Sequence, residues 1–242
     1  MRHSRVARKR AGALNPPPWY RFRSAVFACI FATGFLGGWV ASFAINGRYV
    51  AAFAAIGSHW GNRGIATGAA IALAIAIGAI ALRVWGASYL SASTVWDEKP
   101  KTEALLQSGP FAFVRHPLYL GDVLLAVGLG AAAPLAGWTF IFAASVLFIS
   151  ALIRYEEDRL SERHGSAYDA YRRSVPSLVP RLTALHTAQS VRPSLAQGLR
   201  SEAFTGFLLL GVVGIFAVPR YGALTFVFCY LLGVFVQRRI ER

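Results

Sequence analysis

Long stretches without a single charged residue govern what this chain can become. Ser24 to Gly47 and Gly64 to Leu82 contain no Asp, Glu, Lys or Arg, and Val123 to Ile153 runs for 31 residues without one. A helix needs about 20 apolar residues to cross the hydrocarbon core of a bilayer. The third run is too long for one span, and its middle, AAAPLAGW (131–138), carries the turn signals Pro134 and Gly137. It reads as two antiparallel helices, beginning near Pro117 and ending beyond Ile153. Ala203 to Val218 and Gly222 to Val236 form a second hairpin around Pro219, Arg220 and Tyr221. The charged fraction, 15%, agrees, since a soluble domain carries about 25%. The predicted fold is all-α, a polytopic transmembrane helical bundle of about six spans.

The net charge of +14 would suggest nucleic acid in a soluble chain; here the positions of the charges decide otherwise. Seven Lys and Arg lie in the tail to Arg23, four between Arg83 and Arg115, eight between Arg154 and Arg200, and three in the last residues. With six spans these segments share one side and hold 22 of the 25 basic residues, leaving Arg48, Arg63 and Arg220 on the other. Basic residues are retained on the cytoplasmic side, which predicts that both termini are cytoplasmic. The tail RHSRVARKR (2–10), followed by NPPPW (15–19), precedes an apolar run longer than that of a cleaved signal peptide. Attraction to anionic lipid explains it without nucleic acid. Cys29 and Cys229 sit in apolar runs, where a thiol behaves as a small hydrophobe. There is no disulfide framework and no Cys/His cluster with metal-ligand spacing.

These features divide the chain into a basic tail (1–23), a four-span unit (24–182), a polar connector (183–202) containing Pro193 and Gly198, and a terminal hairpin with its short tail (203–242). The Gly- and Ala-rich run GIATGAAIALAIAIGAIAL (64–82) suits close helix packing.

Polar residues at a membrane boundary are costly, and two clusters of them meet the two arms of the first hairpin. GPFAFVRHPLYLGD (109–122) enters the third span. Pro117 suits a first helical turn, which puts Arg115 and His116 beside backbone N–H groups that favour anions. Tyr119 and Asp122 follow at a spacing that shares one face. RYEEDRLSERHG (154–165) leaves the fourth span, with Ile153, Glu157, Leu160 and His164 on one helical face and Glu156 beside them. Taken alone, each suits an ordinary interfacial helix end; as the two ends of one short hairpin they must approach each other. GSAYDAYRRSVPSLVP (165–180) follows, with Tyr168 and Tyr171 three apart and Pro176 and Pro180 as stops. It reads as a short amphipathic helix on the bilayer that also closes the site.

GPFAFVRHPLYLG, then Glu156 and Glu157 after one helical hairpin, then G-x-x-Y-x-x-Y-x-x-x-V-P-x-x-x-P, resembles the isoprenylcysteine carboxyl methyltransferase family and the wider group of phospholipid methyltransferases. The likeness covers roughly residues 82–181. It implies a membrane enzyme that binds S-adenosylmethionine at the cytoplasmic face and methylates a lipidic or prenylated acceptor arriving from the bilayer, with a prenylcysteine-type carboxylate as the first candidate. By this resemblance His116, Tyr119 and Gly121 line the cofactor pocket and the Glu156/Glu157 pair contacts the cofactor. Tyr171 joins them as a cofactor residue, and Arg115 and His116 are the catalytic candidates. Residues 1–81 carry no motif of the family, and the hairpin at 203–236 departs from its usual ending.

The chemistry of these residues suits that cofactor, which bears a sulfonium, an ammonium and a carboxylate. Glu156 or Glu157 can pair with the ammonium or accept from ribose hydroxyls. Tyr119 and Tyr155 offer aromatic faces to the sulfonium, worth ~1–2 kcal/mol when desolvated, and Arg115 suits a bidentate grip on the carboxylate. A carboxylate acceptor needs no general base, whereas an amine must lose a proton, which His116 or His164 could take. Three alternatives remain. A phospholipid N-methyltransferase uses the same cofactor. Membrane sterol and steroid reductases carry a related R-H-P-N-Y-type segment and bind NADPH, but here Leu118 stands in place of the Asn. A non-catalytic transporter or assembly factor would place ionisable groups near mid-membrane, for which Asp122 is the acidic candidate.

Overall fold

The computed structural model describes residues 16–90, 105–185, 192–217 and 222–240. The basic stretch 2–10 and the turn at Pro219, Arg220 and Tyr221 lie outside the described residues. Among the described residues every regular element is a helix. The principal ones are α1 (Arg23–Asn46), α2 (Gly61–Ser88), α3 (Pro117–Gly128), α4 (Leu135–His164), α5 (Ser166–Ser174), α6 (Ala203–Ala217) and α7 (Gly222–Ile240). The long uncharged run does break into antiparallel α3 and α4, through a 3-10 turn at Gly130–Ala132. Pro134 has no N–H to leave unpaired, and its carbonyl accepts from Trp138 N at 2.8 Å to start α4.

This is an all-α bundle of an integral membrane protein. Arg23–Ile45, Ala52–Ser88 and Leu135–His164 are long and apolar enough to cross a membrane, and Pro117–Ala132, Ala203–Gly214 and Phe228–Gln237 are shorter apolar helices. Large apolar side chains point outward from the bundle, among them Leu36, Ile45 and Leu147, as a lipid environment favours.

Small residues set the helix crossings. α1 meets α4 at Gly34, Gly38 and Gly137, where a Cβ on Gly137 would lie 2.0 Å from the Gly34 carbonyl oxygen. α3 meets α2 at Gly128, whose added Cβ would fall 2.7 Å from the Ala72 carbonyl oxygen. The close packing anticipated for 64–82 is thus present. It extends to the short helix Ala52–Gly57, which folds back on α2 through Gly57 and Gly64.

Two parts of the sequence reading need correction. Within the predicted connector, Leu195–Ser201 is a helix docked on the end of α2. Ser194 N donates to the Ser88 carbonyl at 2.8 Å, and a Cβ on Gly198 would sit 2.4 Å from the Val84 carbonyl oxygen, so the missing side chain permits the approach. Arg83, counted above among the loop charges, lies inside α2 with its side chain 11% exposed. Asp122 and Glu202 supply the counter-charge that makes this burial tolerable.

Candidate active site

The segment that follows α5 returns along the entry to α3. Arg115 N donates to Pro176 O at 2.9 Å, His116 N to Ser177 O at 3.2 Å, Arg181 N to Phe113 O at 3.0 Å and Leu185 N to Ala112 O at 2.9 Å. Tyr168, Tyr171 and Val175 are buried together, with Leu160 of α4 packed against them, and the Tyr171 hydroxyl donates to Phe111 O at 2.7 Å. Burial pushes the Tyr171 hydroxyl above its ordinary pKa, which keeps it a neutral donor. The R-H-P and V-P-x-x-x-P motifs therefore form one unit.

The two glutamates divide their roles. Glu157 faces inward: its Oε1 accepts from Arg115 Nη2 at 2.6 Å and Nε at 3.0 Å, and lies 3.2 Å from His116 Nε2. Its Oε2 is 3.6 Å from the Arg172 Nε. Arg115 spends its remaining nitrogen on the carbonyls of Arg172, at 2.9 Å, and Val175. Glu156 Oε1 accepts from the Tyr119 hydroxyl at 2.7 Å and from the Tyr20 hydroxyl at 2.7 Å. Its Oε2 takes no hydrogen bond among the described residues and stands 3.8 Å from His116 Nδ1, too far to bond. An ionised carboxylate only accepts, so His116 Nε2 is the donor toward Glu157, and Nδ1 faces the Glu156 side.

A cavity of about 670 Å³ opens at this cluster, within the size range of small-molecule sites, about 300–1,000 Å³. Its polar end is lined by Arg23, Arg115, His116, Tyr119, Glu156 and Tyr171, and its other walls by mostly apolar residues of α1, α3 and α6, together with Arg83, Asp122 and Thr205.

Of the residues anticipated from sequence, Arg115, His116, Tyr119, Glu156, Glu157 and Tyr171 come together. Gly121 does not face the cavity: it is turned about 200° from Tyr119 on α3 and packs against Arg83 and Ala79. Tyr155, offered above as an aromatic face, packs against Tyr20 in a tilted arrangement and against Trp19 edge-to-face, at centroid distances of 4.8 and 5.4 Å. Two features escaped the sequence reading. Tyr20 belongs to the tail given no chemistry, yet it is 1% exposed and holds Glu156; the rigid Pro run just before an aromatic pair was the available signal. Arg83 binds Glu202 at 2.7 and 3.0 Å as well as Asp122 and Leu118 O, at 3.3 Å for the latter. Glu202 alone at the head of an apolar helix hinted at it.

Fold and site together define an integral membrane protein of the all-helical class, with a deep cavity whose polar end joins a helical hairpin to the segment that follows it. Residues 67–167 match the model of the phospholipid methyltransferase family. The chain is 36% identical over 102 residues to the nickel-cobalt-cadmium resistance protein NccN of Alcaligenes xylosoxydans xylosoxydans, covering 42% of this chain and 44% of the relative. It is 39% identical over 74 residues to methanethiol S-methyltransferase 2 of Bradyrhizobium diazoefficiens, covering 31% and 28%. It is 33% identical over 87 residues to the protein-S-isoprenylcysteine O-methyltransferase of Schizosaccharomyces pombe, covering 36% and 37%. The matched part thus spans less than half the length of each of these relatives. No solved structure matches. Among the described residues no group of three or more His, Cys, Asp or Glu is placed to hold a metal ion.

Proposed function

We propose that the protein is an S-adenosylmethionine-dependent methyltransferase that acts on an apolar acceptor at the membrane, with a prenylcysteine-type carboxylate as the leading candidate. The observation that carries this reading is Glu156: a carboxylate held by two tyrosine hydroxyls, its second oxygen without a hydrogen bond among the described residues, at the mouth of a mostly apolar cavity. The donor set fits the cofactor. Glu156 Oε2 suits an ammonium or ribose hydroxyl, and the Tyr119 ring, 5.8 Å from the His116 ring, offers a face to a cation. Bound there, S-adenosylmethionine would supply an electrophilic methyl group.

This chain's residues would do the rest. Arg115 and Glu157 neutralise each other and pin the segment after α5 onto the start of α3, so Arg115 acts in this proposal by positioning rather than by gripping the cofactor. His116 is held through Nε2 with Nδ1 available, able to take a proton from a thiol or amine acceptor and idle toward a carboxylate. The apolar walls exclude water, which favours alignment of the reacting groups. The six-span arrangement, with both termini and this site at the cytoplasmic face, belongs to the same proposal and rests on the one-sided Lys and Arg distribution. The relatives named as methyltransferases support methyl transfer, and the yeast relative's name supports the prenylcysteine class.

Calorimetric titration of the protein in lipid nanodiscs with S-adenosylhomocysteine, with NADPH in parallel, tests the reading. Micromolar binding of S-adenosylhomocysteine alone is the expected result. Binding of NADPH alone would replace it with a reductase.

A further inference from the structure

The terminal hairpin lies outside the family segment at 67–167, yet it is built into the cavity. Phe204, Leu208 and Val212 of α6 line it at i, i+4 and i+8, a stripe about 12 Å long at 1.5 Å per residue. Phe27, Phe31 and Phe35 of α1 line the same cavity at the same spacing. The slot has an end: Val212, 8% exposed, is buried with Leu125 of α3 and Leu129 just after it, and Phe31 and Phe35 pack against that cluster. The opposite end carries His116, Tyr119 and Glu156.

A buried ionic lock holds this wall in place. Glu202, 1% exposed, immediately precedes α6 and takes the Arg83 guanidinium on both oxygens, at 2.7 and 3.0 Å. The Thr205 hydroxyl, one turn into α6, donates to Glu202 Oε2 at 3.0 Å. Arg83 in turn binds Asp122 and the Leu118 carbonyl of α3. One guanidinium from α2 thereby fixes α6 relative to the helix that carries Tyr119. Removing Arg83 would strand two buried carboxylates, so the wall cannot shift without disrupting the lock.

We propose that the terminal hairpin is the acceptor-selecting wall of the site: the slot between α1 and α6 takes the acceptor's apolar chain, Val212 limits its length, and the Arg83–Glu202 pair sets the wall's position. This rests on the methyltransferase reading of the polar end. Continuity with that end orients the occupant, since an acceptor whose reacting group sits by His116 has this slot for its chain.

Two probes of one chemistry and different length test it, N-acetyl-S-hexylcysteine and N-acetyl-S-farnesylcysteine, titrated into nanodisc-embedded protein alongside S-adenosylhomocysteine. Leu208→Trp should weaken the farnesyl probe at least tenfold and the hexyl probe less than threefold. Val212→Ala should improve the ratio of farnesyl to hexyl affinity, and Glu202→Gln should weaken both probes. In all three variants S-adenosylhomocysteine affinity should stay within twofold, which also reports that the protein has folded. An unchanged farnesyl-to-hexyl ratio in Leu208→Trp and Val212→Ala overturns the inference, as does failure of both probes on wild-type protein that binds S-adenosylhomocysteine. Wild-type protein that fails to bind S-adenosylhomocysteine at all would instead sink the methyltransferase reading beneath it.

Discussion

Tyr20 reaches across 136 positions of sequence to donate its hydroxyl to Glu156 Oε1 at 2.7 Å. The segment before the first long helix is thereby tied to the far end of the hairpin, on the same oxygen that Tyr119 uses. Two donors on one oxygen fix the carboxylate's rotation and turn Oε2 away from both tyrosines. Each hydrogen bond to a charged group contributes about 1.5–3 kcal/mol. Tyr20→Phe should therefore weaken S-adenosylhomocysteine binding roughly tenfold, and Tyr20→Phe with Tyr119→Phe by more than either alone. Calorimetry on the three variants checks this; wild-type affinity in the double variant would remove Glu156 from the site.

The two adjacent glutamates should separate under the same substitution. Glu156→Gln keeps a hydrogen-bonding group against both tyrosines but loses the charge offered to the cavity, so affinity should fall while thermal stability holds. Glu157→Gln strands the Arg115 guanidinium, which then has only carbonyl acceptors. Breaking a buried pair of this kind costs about 3–5 kcal/mol, and the melting temperature should drop. Equal effects of the two variants on melting would contradict the division of roles.

Much of this was legible in the sequence because it is local. The uncharged runs, Pro117 at the start of α3 and the Pro134 break each act within a few residues, and the motif around Arg115 to Tyr119 and the pair at Glu156 and Glu157 lie on the arms of one hairpin. What was not legible is pairing at a distance. Nothing in a run of residues says that Arg83 and Glu202, 119 positions apart, neutralise each other, so Arg83 looked like a loop charge. Nor does spacing say which side of α3 faces the cavity. Gly121 sat inside the motif, and only packing reveals that its hydrogen atom is what admits the Arg83 side chain.

The α1–α4 crossing offers a test of the fold independent of chemistry. A Cβ on Gly137 would lie 2.0 Å from the Gly34 carbonyl oxygen, whereas one on Gly37 would meet nothing within 4 Å. Overpacking costs about 1–3 kcal/mol, so Gly137→Leu should lower the melting temperature. Gly37→Ala should leave it unchanged or raise it, since Ala is favoured over Gly in a helix by about 1 kcal/mol. A reversed order would mean that these helices do not cross at Gly137.

Sidedness is the part of the proposal that the charge distribution carries, and cysteine labelling reaches it directly. Ser58 sits in the exposed turn between the Ala52–Gly57 helix and α2, on the side of Arg48 and Arg63; Ser166 begins α5, beside the site. With Cys29→Ala and Cys229→Ala as background, no other thiol remains. A membrane-impermeant maleimide applied to intact cells should label Ser58→Cys at once and Ser166→Cys only after lysis. Labelling of Ser166→Cys in intact cells would place the polar end of the cavity outside the cytoplasm. S-adenosylmethionine is a charged cofactor that does not cross a bilayer unaided, so the same outcome would also count against methyl transfer at this site.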